Sequence, residues 1–159
     1  MTAENKVNKT YFSKHLKTDY PEVFEQIEEK LKSNAIKPTA MRLLVLQYFT
    51  EQTKAISLKD LENELDYADK STLFRTLKTF EENKIVHSIE DGSGLTKYAL
   101  CLEACNCEIQ DLHYHFHCTH CESTFCLTTL NIPKIELPTN FKMNQANMVI
   151  KGLCANCNN

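Results

Sequence analysis

Apolar positions along the first half of the chain recur at helical spacing. In YPEVFEQIEEKLKSN, residues 20 to 34, Val23, Phe24, Ile27 and Leu31 share one face, with Pro21 near the start, glutamates early and Lys30 and Lys32 late. This predicts an amphipathic helix. Thr39 can cap a second helix, AMRLLVLQYFTEQ, which Leu43, Leu44, Leu46, Tyr48 and Phe49 make largely buried. Ser57 opens a short third, SLKDLENEL, with Asp60 three residues on in an imperfect capping box. In YADKSTLFRTLKTFEENK, Asp69 or Ser71 can cap a fourth, in which Leu73, Leu77 and Phe80 fall at i, i+4 and i+7. Two β-prone runs in IVHSIEDGSGLTKYAL flank an Asp-Gly-Ser-Gly turn, the signature of a hairpin. Helices followed by a hairpin predict a winged helix over residues 1–100, and a boundary just after Leu100 leaves 101–159 as a second, small domain.

Charge complicates the obvious use of a winged helix. The formal net charge is −3, whereas phosphate binding depends on Lys and Arg, so any DNA contact must come from a local basic stripe. The fourth helix offers one. Its polar face carries Lys70, Ser71, Thr72, Arg75, Lys78 and Thr79, with no acid between Lys70 and Lys78. As the second helix of a helix-turn-helix this face suits the major groove, with Arg75 for a guanine edge and hydroxyls for phosphate. Lys97, on the wing, is expected to touch backbone phosphate. No apolar run approaches a membrane span of roughly 20 residues, and MTAENKVNKTYF has none of the features of a secretory leader. The expectation is a cytoplasmic protein without a membrane partner.

All eight cysteines lie at or after Cys101, and in a reducing compartment that pattern indicates metal or redox chemistry. Cys118/Cys121 and Cys154/Cys157 are two Cys-x-x-Cys pairs, the spacing of a four-thiolate structural zinc site. NMVIKGLCANC reads as a strand leading into Gly152, which can turn the second pair toward the first. In DLHYHFHCTHCESTFCL, His113 and His115 project to one face of a strand and His117 continues that face, while His120 reads as a surface residue. Cys107 and Cys126 flank the histidine pair, with Cys101 and Cys105 upstream. An imidazole and thiolate site suits zinc better than magnesium, and better than iron unless geometry overrides ligand softness. Enzyme signatures are missing: there is no His-Glu-x-x-His or Gly-x-Ser-x-Gly, and three glycines cannot supply a phosphate-cradling loop.

Taken in order, IKPTAMRLLVL, STLFRTLKTFEENKIV, the hairpin, HYHFHCTHC and GLCANC resemble the ferric uptake regulator family of metal-responsive repressors, over nearly all of the chain after about residue 20. The resemblance implies an α+β protein, an N-terminal winged helix-turn-helix followed by a small α/β dimerisation domain with metal sites. It also implies a homodimer on a double-stranded DNA operator, repressing metal-uptake or stress genes when the sensing site is loaded. Matched motif to motif, Cys118, Cys121, Cys154 and Cys157 fall on the family's structural zinc cysteines, and His113 and His115 on its sensing histidines. The chain departs from the family at Thr72-Leu73-Phe74-Arg75, where the recognition helix commonly reads Thr-Val-Tyr-Arg, and at Ala55-Ile56, where a sensing histidine is often found. Cys107 and Cys126 stand where iron and peroxide sensors usually carry carboxylates. His87 and Cys101 resemble ligands of the zinc-sensing branch, so the sensing set is drawn from His87, Cys101, Cys107, His113, His115 and Cys126. Zinc sensing is the expected function. The alternatives are an iron- or peroxide-sensing repressor of the same family, a thiol-based redox repressor, or a zinc-stabilised adaptor that binds another protein.

Overall fold

The computed structural model describes residues 21–101, 112–130, 132–144 and 146–158. The chain begins with α1 (Pro21–Ser33), α2 (Ala40–Thr50), β1 (Ile56–Ser57), α3 (Leu58–Glu64) and α4 (Lys70–Glu82). It continues with the hairpin β2 (Val86–Glu90) and β3 (Thr96–Leu100), then β4 (Tyr114–Cys118), β5 (Thr124–Leu127) and β6 (Val149–Gly152). Among the described residues, no helix is long and apolar enough to cross a membrane.

The caps act where the sequence places them. Thr39 accepts from the Arg42 amide, Asp69 from the Thr72 amide, and Ser57 and Asp60 form a complete capping box. Each satisfies amides that the first helical turn leaves without an intrahelical acceptor. Leu73, Leu77 and Phe80 of α4 are fully buried, packed in one core with Leu31 of α1, Val45 and Leu46 of α2 and Leu61 of α3. Val23, expected on the apolar face of α1, is instead 43 % exposed, and Ile27 and Leu31 are that helix's buried residues.

The described residues form two sheets, each of three strands. The first has the order β1-β3-β2, with β2 and β3 antiparallel from Val86↔Leu100 to Glu90↔Thr96. Its turn holds Gly92 and Gly94 at φ of 81° and 83°, a region that costs a residue with Cβ and that glycine enters freely. The second has the order β5-β4-β6, β5 antiparallel and β6 parallel to β4.

The sheets meet along a seam. The Ala55 amide, beside β1, donates to the Thr124 carbonyl of β5 at 2.7 Å, and the Asn147 side chain donates to the Glu90 carbonyl at the end of β2 at 2.6 Å. Cys126 of β5 packs on the small apolar cluster Ala55, Ile89 and Ala99. Lys97 lies inside this seam. It is 7 % exposed, and its ammonium sits 2.7 Å from Asp91 Oδ2 and 3.1 Å from Thr124 Oγ1, with a further bond to the Glu122 carbonyl. The expectation of a phosphate contact at Lys97 is therefore corrected: Asp91 of its own hairpin, Thr124 of β5 and the Glu122 carbonyl in the turn before β5 hold its charge inside the protein.

Candidate metal centres and nucleic-acid interface

The first centre is built by two turns. Cys118 ends β4 and is fully buried, and the chain folds back through Cys121 with Glu122 at φ 58° and the Glu122 amide bonded to the Cys118 carbonyl at 2.9 Å. The parallel pairing of β6 with β4 brings Gly152 level with Cys118, which delivers Cys154 and Cys157 to the same place. The ligand atoms of Cys118, Cys121, Cys154 and Cys157 all lie within 4.8 Å of one another, and Cys121 Sγ and Cys154 Sγ are 3.8 Å apart. A tetrahedron with zinc–sulfur bonds of about 2.3 Å has an edge of about 3.8 Å, so the residues present fit zinc. Amides of Cys121 and Cys154 pull the Cys118 thiol down to about 5, whereas the Cys154 side chain and burial push Cys157 up to about 12. A divalent cation bound by all four would draw off the remaining thiol protons.

The second centre straddles the seam. His87 comes from β2, His113 from the residues leading into β4, His115 from β4 itself, and Cys126 from β5, directly opposite His115 in the antiparallel register. All four ligand atoms again fall within 4.8 Å of one another. His87 Nε2 is 3.2 Å from His115 Nε2 and 3.7 Å from Cys126 Sγ, close to the edges of about 3.3 and 3.6 Å that zinc with nitrogen and sulfur ligands requires. The Nδ1 of His115 is buried, and the place of this residue on β4, opposite Cys126, aims its ring at the other ligands. The four residues fit a borderline-soft cation.

Burial pushes His87 down to about 4, assisted by the charges of His113 and His115, and burial with the charge of His113 does the same to His115. Both rings are therefore neutral at pH 7, as ligands must be. Burial pushes the Cys126 thiol up to about 11, so loading must expel its proton. Between about pH 4, where His87 and His115 become neutral, and about pH 11, zinc loading of this centre is expected to release the Cys126 proton and therefore to weaken as pH falls. Calorimetry in buffers of different ionisation enthalpy, on protein whose four-cysteine site is already filled, measures it. Loading without proton release would remove Cys126 from the ligand set.

Cys101 does not join the four. It is buried behind His87, with its Sγ 3.6 Å from Nδ1, the ring nitrogen facing away from Cys126. The expectation of Cys101 as a ligand becomes a contact that orients the His87 ring, because that nitrogen and the metal-facing one lie on opposite sides of the imidazole. Cys107 lies outside the described residues. His117, which continues the face of His113 and His115, is 6 % exposed and bonded to Asp91 and Thr124, while His120 is exposed as expected.

The face of α4 is as exposed as expected at Lys70, Ser71, Arg75 and Lys78, with Thr72 half-buried. Two of its cations are already engaged: Lys70 pairs with Glu62 at 3.2 Å and Lys78 with Glu81 at 2.7 Å. Among the described residues, Arg75 bonds hydroxyl and carbonyl oxygens of its own helix, Thr72 Oγ1 at 3.4 Å and the Ser71 carbonyl at 3.3 Å. Arg42, which the sequence reading passed over, lines the same groove as Arg75, together with Thr39, Thr76 and Thr79. Its signal was present in sequence, three residues after the Thr39 cap.

Residues 33–157 match the model of the ferric uptake regulator family. A ferric uptake regulation protein of Campylobacter jejuni is 26 % identical over 152 residues, spanning 89 % of this chain and 92 % of that protein. Among solved structures, a zinc uptake regulator complexed with zinc and DNA is similar at a TM-score of 0.60 and 23 % identity, covering 89 % of this chain and 96 % of that one. The Helicobacter pylori ferric uptake regulator, whose structure reveals three functional metal binding sites, gives a TM-score of 0.54 at 15 % identity over 86 % of this chain and 92 % of that one. The fold is shared with both, and the match over most of the sequence places the chain in the ferric uptake regulator family: it is a metal-responsive transcription regulator and not an enzyme.

Proposed function

We propose that the protein is a zinc-responsive repressor of metal-homeostasis genes, acting as a homodimer on a double-stranded DNA operator. The observation that carries this is the donor set His87, His113, His115 and Cys126, three imidazoles and a thiol with no carboxylate among them. Such a set favours zinc over iron, which is better served by carboxylate oxygen. Cys118, Cys121, Cys154 and Cys157 hold the second, structural zinc. The likeness to a zinc uptake regulator bound to zinc and DNA supports the reading.

Zinc in the straddling centre supplies bonds that exist only when β2 lies against β4 and β5. The closed arrangement then gains affinity that an open one lacks, which is what a population shift requires. In a two-fold dimer it fixes the separation of two α4 helices, which must enter major grooves about 34 to 36 Å apart. On α4, Arg75 reads a base edge, while Lys70 and Lys78 exchange their carboxylate partners for phosphate, with Ser71 and Thr72 beside them.

Titration of the chain's own promoter DNA, with protein carrying only the structural zinc, tests this. Added zinc is expected to tighten binding by about 5- to 150-fold, and binding should weaken steeply with salt. Arg75→Ala should cost about 1 to 3 kcal/mol and relax base preference. Equal tightening by ferrous iron at the same free concentration would overturn the zinc assignment, and metal-independent binding would overturn the switch.

A further inference from the structure

The wing hairpin carries a charged hub that neither metal centre uses. Asp91, first residue of the turn after β2, has a side chain with no exposed surface. Its Oδ2 receives Lys97 Nζ at 2.7 Å, the Thr124 hydroxyl at 2.5 Å and His117 Nδ1 at 3.1 Å, and its Oδ1 receives the Ser93 amide at 2.9 Å. Because Thr124 spends its one hydroxyl proton on Asp91, the short contact of His117 with both groups places a proton on His117 Nδ1, donated to the carboxylate. Burial opposes ionisation of Asp91, but the bonds from Lys97, Ser93 and Thr124 outweigh it and hold the carboxyl well below the usual carboxylate range.

This cluster is an ion pair of the hairpin completed by the second sheet. Asp91, Ser93 and Lys97 belong to the hairpin; His117 lies on β4, Thr124 on β5, and Glu122 in the turn between them. Pulled out of the seam, Lys97 and Asp91 would lose their bonds to Thr124, Glu122 and His117 together. A charge in low dielectric keeps its solvation only through such specific partners, so the hub resists sliding of one sheet on the other as apolar contact alone does not. It also sits beside the straddling centre. His115 and His117 are alternate residues on one face of β4, and Asp91 follows His87 by four residues at the far end of β2.

We propose that Asp91 is a positioning residue of the metal switch: with Lys97, Thr124 and His117 it pins the hairpin to the second sheet, so that His87 already faces His113, His115 and Cys126 before metal arrives. This clamp cuts the cost of closure that metal binding would otherwise have to meet, which raises affinity without adding a ligand. Its link to gene control rests on the metal-responsive reading above; its link to metal affinity does not.

The test uses the full chain without DNA. Asp91→Asn/Lys97→Met removes the clamp without leaving an unpaired buried charge, and Thr124→Val removes one shared partner while keeping both charges. Zinc affinity of the straddling centre is measured by chelator competition, and amide exchange is followed at Ala55, whose N–H bonds Thr124 across the seam. The double variant is expected to retain the structural zinc, bind the second zinc at least tenfold more weakly and exchange the Ala55 amide at least tenfold faster, with β2–β3 amides as protected as in the wild type. Thr124→Val should fall between. Wild-type affinity and Ala55 exchange in the folded double variant would overturn the clamp. Loss of protection throughout β2 and β3 in both variants would equally overturn it, by making Asp91 a residue of hairpin folding. Since no step involves DNA, metal-independent operator binding would sink the proposed function and leave this result standing.

Discussion

Cys118→Ser or Cys154→Ser is expected to unfold the second sheet while the helical core survives. The four cysteines are the point at which β4, the turn into β5, and the chain after β6 converge. Among the described residues after β3 apolar burial is slight: Leu130, Phe141, Ile150 and Leu153 are all exposed, and the large buried cluster runs only from Ile27 to Tyr98. Structural zinc in small sites contributes about 10 to 16 kcal/mol at neutral pH, comparable with the whole stability of an ordinary domain at about 5 to 15 kcal/mol. Loss of one thiolate therefore removes most of what holds β4, β5 and β6 together. Metal analysis should show the structural zinc gone, circular dichroism should show the helices kept and sheet signal lost, and any dimer should dissociate. The straddling centre should fail as well, although no ligand of that centre was touched. A zinc-free variant that melts cooperatively at the wild-type temperature, still dimeric, would contradict the structural assignment.

His113→Ala/His115→Ala should have the opposite profile, an intact fold with no response. Both side chains can be truncated without removing a ligand of the four-cysteine centre, which begins at Cys118, the last residue of β4. The straddling centre then keeps only His87 and Cys126. Loss of an outer hydrogen-bond partner alone costs a metal site about 10- to 100-fold, so loss of two direct ligands is expected to weaken zinc binding by more than about 100-fold. The zinc-driven gain in operator affinity should vanish, leaving the double variant at the affinity of wild type carrying structural zinc alone. Parallel measurement of retained structural zinc separates this result from misfolding. A double variant that remains as zinc-responsive as wild type would remove the pair from sensing.

Local rules made most of the helices legible. Thr39, Ser57 and Asp69 are caps because their short polar side chains reach amides three residues on, and that reach is visible in sequence. Leu73, Leu77 and Phe80 were readable for the same reason, as was the turn around Gly92 and Gly94. The four thiols of the structural site came from spacing and the histidine pair from alternation on a strand; His87 and Cys101 entered only through resemblance to a family. What failed was non-local. A lysine beside a hairpin turn reads as solvent-facing, and nothing near Lys97 in sequence announces that Glu122 and Thr124 will supply acceptors. Cys101 looked like any other ligand until the fold placed it behind the wrong nitrogen of His87. The apolar stripe of α1 was drawn one residue too wide at Val23, because periodicity marks a face and not the edge of the core that covers it.

The antiparallel register that sets His115 opposite Cys126 has a consequence for how this chain can change over time. Side chains on a strand alternate between faces, so whether Cys126 points at the histidines depends on the parity of the stretch between Cys121 and Cys126. The turn anchored by Cys118 and Cys121 fixes the zero of that count. The turn that Cys118 and Cys121 anchor thus leads directly into the strand that carries Cys126, and a one-residue shift in the pairing of β5 with β4 would turn Cys126 away from the histidines with every ligand still present in the sequence. A thiol and a carboxylate at position 126 would favour different cations, whereas a one-residue slip of β5 would take the donor away altogether.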